Sequence, residues 1–226
     1  MEDQNLMPGA APLTALTEQL HERRGKARLG GGLEKIEKQT FRAARIVNGL
    51  LNLSRPTAGD DSERSVVDLN AVANDVLTLL EHQFDKGRVR VRRELSDTPV
   101  PVVGFEFKLQ QVFLNLFLNA RDAMPSGGWL TIATRVENGR AIADVRDTGV
   151  GVSPEHLARI YDPFFTTKGV GRGTGLGLSI AYGIVQEHDG RIQCDSVVGQ
   201  GTHFSLEFAL ATSASPVGPR RQGTGQ

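Results

Sequence analysis

The chain has 226 residues, 39% hydrophobic and 23% charged, and its 26 Lys+Arg balance 26 Asp+Glu, leaving no formal net charge. That mixture suits a globular chain of one domain with a small companion and excludes a disordered polyelectrolyte. A neutral total supplies no global field for nucleic acid or an anionic membrane, and a single cysteine, Cys194, excludes an internal disulfide framework and a multi-thiolate metal site. The longest apolar run, Val112 to Leu118, is broken by Asn115 and is too short to span a bilayer. The start, Met1-Glu2-Asp3-Gln4, has neither the basic opening nor the apolar core of a signal peptide. The expectation is a soluble cytoplasmic protein.

In chain order, Leu13, Leu16 and Leu20 recur at helical steps, and Gly30-Gly31-Gly32 interrupts them. Leu33, Ile36, Thr40, Ala43, Val47 and Leu50 then follow in alternating steps of three and four, a heptad rhythm widened by Ala44, Ile46, Leu51 and Leu53. The spacing predicts an antiparallel helical hairpin over 1–55, with a stripe wide enough to call for a second copy in a four-helix bundle, or else for the chain's own second domain. Residues 56–65 (PTAGDDSERS) read as a linker.

The segment 66–211 reads as an α/β sandwich. A helix is expected over Leu69 to Phe84, a half-exposed strand over Arg88 to Glu94, and a long apolar helix over Phe105 to Met124 ended by Ser126-Gly127-Gly128. Trp129 to Val136 and Ala141 to Val145 alternate about Asn138-Gly139, a strong hairpin signal. A helix over Leu176 to His188 and a hairpin of Arg191 to Val198 with Thr202 to Phe208 complete it, and 212–226 reads as a disordered tail. The fold class is therefore α+β: a helical hairpin, then a sandwich with a mixed, mainly antiparallel sheet and helices on one face.

Three blocks carry chemistry. Asn115 and Asn119 lie four apart on an apolar helix, so their amides share one face. They either bridge neighbouring backbone or offer carbonyl oxygens to a hard cation such as Mg²⁺. Asp147-Thr148-Gly149-Val150-Gly151 follows a strand; its carboxylate either closes an ordinary turn or accepts a hydrogen bond from the exocyclic amine of a base. Gly169 to Leu178 (GVGRGTGLGL) opens a helix, an arrangement that can turn backbone N–H groups and the positive helix end toward a polyphosphate, with Lys168 and Arg172 to neutralise charge. No Lys-Ser or Lys-Thr follows these glycines, and no strand precedes them, so this is neither a Walker loop nor a dinucleotide fingerprint.

The order of the blocks resembles the catalytic and ATP-binding domain of bacterial sensor histidine kinases, of the superfamily shared with DNA gyrase. NLFLNARDA is similar to the family's asparagine box, DTGVG to its first glycine box, DPFFTTK (162–168) to its phenylalanine box, GRGTGLGL to its second glycine box and GQGTHF (199–204) to its last. Leu33 to Pro56 resembles the second helix of the family's dimerisation hairpin. The resemblance implies ATP and Mg²⁺ as cofactors, Asn119 as metal ligand with Asn115 beside it, and Asp122 and Ala123 in the same nucleotide-binding box. It implies Asp147 on the adenine amino group, Thr202 helping through water, and Gly149 and Gly151 allowing close approach. Phe164 and Phe165 would anchor a lid from about Tyr161 to Thr174, while Gly173, Thr174, Gly175, Leu176, Gly177 and Leu178 would cradle phosphates with Lys168 and Arg172. Gyrase-type ATPases place a water-activating glutamate where Asn115 stands. An amide is no general base, so transfer is favoured over hydrolysis.

The resemblance also implies a homodimer through the hairpin and a response-regulator receiver domain as partner, with no nucleic acid. It breaks at the phosphoacceptor box. Counting back from Pro12-Leu13-Thr14-Ala15-Leu16 places Met7 where the family has its histidine, Pro8 where it has an acid, and Ala11 at the position linked to phosphatase activity. His21, the nearest substitute, follows the box by more than two helical turns. The expected function is a histidine kinase core, phosphoryl donor to a histidine and then to a response regulator. The alternatives are a nucleotide-gated dimerisation module without kinase activity and a serine kinase of the same superfamily.

Overall fold

The structure is a computed structural model, and it describes residues 64–168 and 173–211. The expected hairpin, most of the linker, Met7, His21, Arg172 and the tail lie outside the described residues.

Strand β1 (Ser65–Asp68) starts one residue before the boundary drawn from sequence and leads into helix α1 (Leu69–Lys86). Asp68 caps that helix: its carboxylate accepts the N–H of Asn70 at 3.0 Å and that of Val100 at 2.8 Å. Leu69, Val72, Ala73, Val76, Leu77, Leu80 and Phe84 recur at three- and four-residue steps, so α1 buries one continuous stripe. Strand β2 (Val89–Glu94) and strand β3 (Pro101–Gly104) precede helix α2 (Glu106–Ala123). Helix α2 carries Phe113, Phe117, Leu109 and Leu116 into the centre of the core.

Strands β4 (Gly128–Glu137) and β5 (Arg140–Asp147) form the expected hairpin. Asn138 (φ 50°) and Gly139 (φ 73°) take the two positive φ values that a tight two-residue turn demands. The short helix α3 (Pro154–Leu157), helix α4 (Gly177–Glu187), strand β6 (Arg191–Val197) and strand β7 (Gly201–Ala209) complete the domain. The main sheet runs β2-β4-β5-β7-β6, antiparallel except for the parallel pair β2 and β4. Leu130 and Ile132, Ala141, Ala143 and Val145, and Phe204, Leu206 and Phe208 alternate onto the face that α1, α2 and α4 cover.

The sequence reading missed the small antiparallel sheet of β1 and β3. Each strand is only four residues long, too short for alternation to register, and the pairing joins segments about 36 residues apart. Strand β3 also ties the end of β7 into place, because Ala211 donates its N–H to the Pro101 carbonyl at 2.8 Å.

The opposite face of the main sheet carries a polar cluster. Asp144 is 1% exposed there, hydrogen-bonded to Arg135 and, at 2.7 Å, to His203 Nε2. Burial opposes its charge, but His203, Arg135 and Ser205 outweigh that and hold the carboxyl below the usual range.

Candidate active site

Three element ends meet at one edge of the sandwich: the last turns of α2, the loop after β5, and the start of α4. The Ala123 carbonyl accepts the N–H of Val150 at 3.0 Å. A Cβ at Gly149 would lie 2.6 Å from that same oxygen, so only glycine lets the DTGVG loop close onto α2. At the other junction, Gly177 lies in van der Waals reach of the Asn115 amide.

Asp147 ends β5, paired with Leu130 on one side and Thr202 on the other. Its Oδ1 accepts the Gly149 N–H at 2.8 Å, and the Thr202 backbone N–H acts on the carboxylate from the adjoining strand. Burial is the larger influence and pushes its pKa up, while those two N–H groups pull it partly back. The result is a carboxylate held rigidly at a strand end and kept out of bulk water. Gly151 follows with φ 71°, and a Cβ there would collide with the Val197 carbonyl.

On α2 the two amides differ. Asn115 is buried, and its Nδ2 has no hydrogen-bond partner among the described residues. A buried amide donor left open costs stability unless a ligand oxygen fills it. Asn119, one turn on, has its Oδ1 3.4 Å from Lys168 Nζ, which also binds Asp122 Oδ2 at 2.7 Å. Burial would raise the Asp122 pKa, but Lys168 and Arg121 together hold it below the ordinary carboxylate value. The Asn119 and Asp122 oxygens thus form a patch that already attracts an ammonium ion. That oxygen chemistry fits a hard cation such as Mg²⁺, provided a ligand's oxygens complete the shell, because no cluster of three acidic, His or Cys ligands exists among the described residues.

The start of α4 is open to an anion. Its N-cap residue, Leu176, makes no side-chain cap, so no side chain of the cap satisfies the first-turn N–H groups. Thr174 Oγ1 instead accepts the Leu176 N–H at 3.4 Å. Leu176 is buried, Leu178 packs against the core, and Gly173 lies against Thr166 and Lys168.

One expectation is corrected. Phe164 is 66% exposed, so its ring is not packed into the core of the described residues. Its backbone does the work: with φ 67° its N–H meets the Gly175 carbonyl at 3.0 Å, and Gly175 (φ 68°) packs directly on the Phe164 carbonyl. The aromatic anchor is Phe165, edge-on to His156 and beneath Arg159. Sequence reasoning also passed over Ser196, which bonds to both the Val152 and Gly201 backbone. The alternation of β6 was its signal, since Ile192, Cys194 and Ser196 share the face that carries Thr202 and Phe204.

Residues 104–212 match the family described as histidine kinase-, DNA gyrase B-, and HSP90-like ATPase. The chain carries an ATPase domain of this family. Its type is that of the sensor histidine kinases. It is 38% identical to sensor kinase CckA of Brucella abortus (strain 2308), a match that covers 76% of this chain and 19% of the relative. The chain thus spans about a fifth of that kinase. Among solved structures, full-length ShkA in complex with AMPPNP aligns with a TM-score of 0.66 at 27% identity, covering 77% of this chain and 37% of that one. Histidine kinase ThkA in complex with the response regulator TrrA aligns with a TM-score of 0.64 at 26% identity, covering 78% and 49%. The ATPase domain here has the same architecture: a mixed, mainly antiparallel five-stranded sheet with helices on one face. No helix among the described residues is long and apolar enough to cross a membrane.

Proposed function

We propose that this domain binds Mg·ATP at the edge formed by α2, β5 and α4 and donates the γ-phosphoryl group to a histidine in a two-component phosphorelay, from which a response regulator receives it. The observation that carries the reading is Asp147, a buried carboxylate held by the Gly149 N–H at a strand end, where it can accept the adenine amino group. Gly149 and Gly151 let the base approach, and Thr202 stands opposite Asp147 in register. At the phosphate end, Asn115 Nδ2 and the uncapped start of α4 supply donors, while Lys168, Arg172 and residues 173–178 neutralise and enclose the charge. Mg²⁺, held by Asn119 with Asp122 beside it, would supply charge neutralisation between the phosphates. Asn115 can orient a phosphate oxygen but cannot take a proton from water, which favours transfer over hydrolysis.

Phosphoryl transfer is largely positioning, so the acceptor histidine must reach this edge; residues 1–55, expected from sequence as a helical hairpin that pairs as a homodimer, are the proposed dimerisation segment. Met7 at the acceptor position supports a second reading, a nucleotide-gated dimerisation module that has lost self-phosphorylation.

The test is ATP affinity by titration calorimetry in wild type and Asp147→Asn. A charge-assisted hydrogen bond replaced by a mismatched amide should weaken binding by about ten- to a hundredfold. Unaltered affinity would overturn the assignment of the adenine site.

A further inference from the structure

We infer that Ser196 is a positioning residue that sets base selectivity: by orienting the Thr202 hydroxyl it makes the pocket accept a purine with an amino group at position 6 and reject one with an oxo group there. This rests on the ATP-binding reading above and extends it to a residue on β6.

The argument is an inventory of protons. A serine hydroxyl has one proton to give and two lone pairs to receive with. Ser196 Oγ receives the Val152 N–H at 2.8 Å. It also lies 2.8 Å from the Gly201 carbonyl, which can only accept, so the single proton of Ser196 is committed there. Its remaining neighbour is Thr202 Oγ1 at 3.1 Å. With one lone pair left on Ser196 and no proton, that contact is a hydrogen bond only if Thr202 donates. The Thr202 proton therefore points at Ser196, and Thr202 keeps lone pairs alone for whatever lies between it and Asp147.

Asp147, the register partner of Thr202, is likewise an acceptor when ionised. Two acceptors and no donor suit an exocyclic amino group. A 6-oxo purine would set oxygen against oxygen, leaving buried acceptors without partners. Were Ser196 an alanine, the Thr202 hydroxyl would be free to rotate and donate to that oxo group. The same serine holds Val152, just beyond Gly151, and so keeps the loop after β5 in step with β7.

The experiment compares binding of Mg·ATP and Mg·ITP, whose base is the 6-oxo counterpart, to the full chain by titration calorimetry. Wild type should prefer ATP. Ser196→Ala should lose about three- to tenfold of that preference, the worth of one hydrogen bond, by gaining relative affinity for ITP. Ser196→Thr, which keeps the hydroxyl, should retain the wild-type ratio. A Ser196→Ala variant that weakens both nucleotides by the same factor would show a merely structural serine and overturn the inference. Should that variant fail to fold by circular dichroism, Ser196→Cys, whose weakly hydrogen-bonding thiol does not replace the hydroxyl, carries the same prediction, and an unchanged ratio there overturns it too. Wild type binding neither nucleotide would instead fail the ATP reading itself, and the inference with it.

Discussion

His188 follows α4 and is 5% exposed. Its Nε2 accepts the Phe105 N–H at 3.0 Å, which puts the ring proton on Nδ1, 2.7 Å from the Ile184 carbonyl. The ring is thus neutral and joins the end of α4 to the start of α2. Burial lowers its pKa below the unfolded value near 6.5, partly offset by the Ile184 carbonyl and Glu187. Above about pH 6.5 neither state is protonated and the contact contributes fully. As pH falls through that value toward the folded pKa, the unfolded chain gains a proton that the folded one refuses, and stability is lost. Thermal melts should therefore fall between pH 7.5 and 5.5, and His188→Leu should remove that slope. At pH 7.5 the same variant should cost about 1 kcal/mol, the worth of one hydrogen bond lost at Phe105.

At the scale of elements, a backbone hydrogen bond joins Phe164 to Gly175, both at positive φ, across the segment that the resemblance reads as a lid. A Cβ at Gly175 would lie 2.3 Å from the Phe164 carbonyl carbon. Gly175→Ala should cost about 1–2 kcal/mol through its left-handed backbone alone, and the cost falls on the lid rather than on the core. ATP affinity should drop about tenfold while the melting temperature of the free protein shifts by no more than about 4 °C, read by calorimetry and differential scanning fluorimetry. The sequence showed a glycine-rich segment leading into an anchored helix, but the hydrogen bond between Phe164 and Gly175 joins two loop residues and leaves no periodic trace. The sequence reading gave the anchoring to Phe164 and Phe165 together; the structure exposes the Phe164 ring and sets Phe165 edge-on to His156.

For the whole molecule, the proposed donor site stands on the ATPase domain, while the position that the resemblance gives to the acceptor is Met7. Incubation of the full chain with Mg²⁺ and γ-labelled ATP should bind nucleotide yet leave no acid-labile, base-stable label on the protein, because Met7 stands where a histidine is needed. Label that disappears in His21→Ala would show a relocated acceptor and overturn that expectation. Mixing with a kinase-dead homologous hairpin that bears its histidine should restore transfer within a heterodimer, if the donor half is competent.

The amino-acid sequence by itself determined the longer elements of the described domain and marked candidate chemistry at their ends. Apolar stripes at helical spacing set α1 and α2, Asn138-Gly139 set the central hairpin, and the ordered boxes from Asn115 to Thr202 marked the site residues. These are local signals, written in periods of two or 3.6 residues and in turn chemistry. Tertiary structure decided what depends on residues far apart in the chain. It paired β1 with β3, laid β2 parallel to β4, drew Lys168 across to Asp122, and left Asn115 Nδ2 open beside α4. Such pairings follow from how the sheet and helices close on one core, and no window of sequence contains both partners.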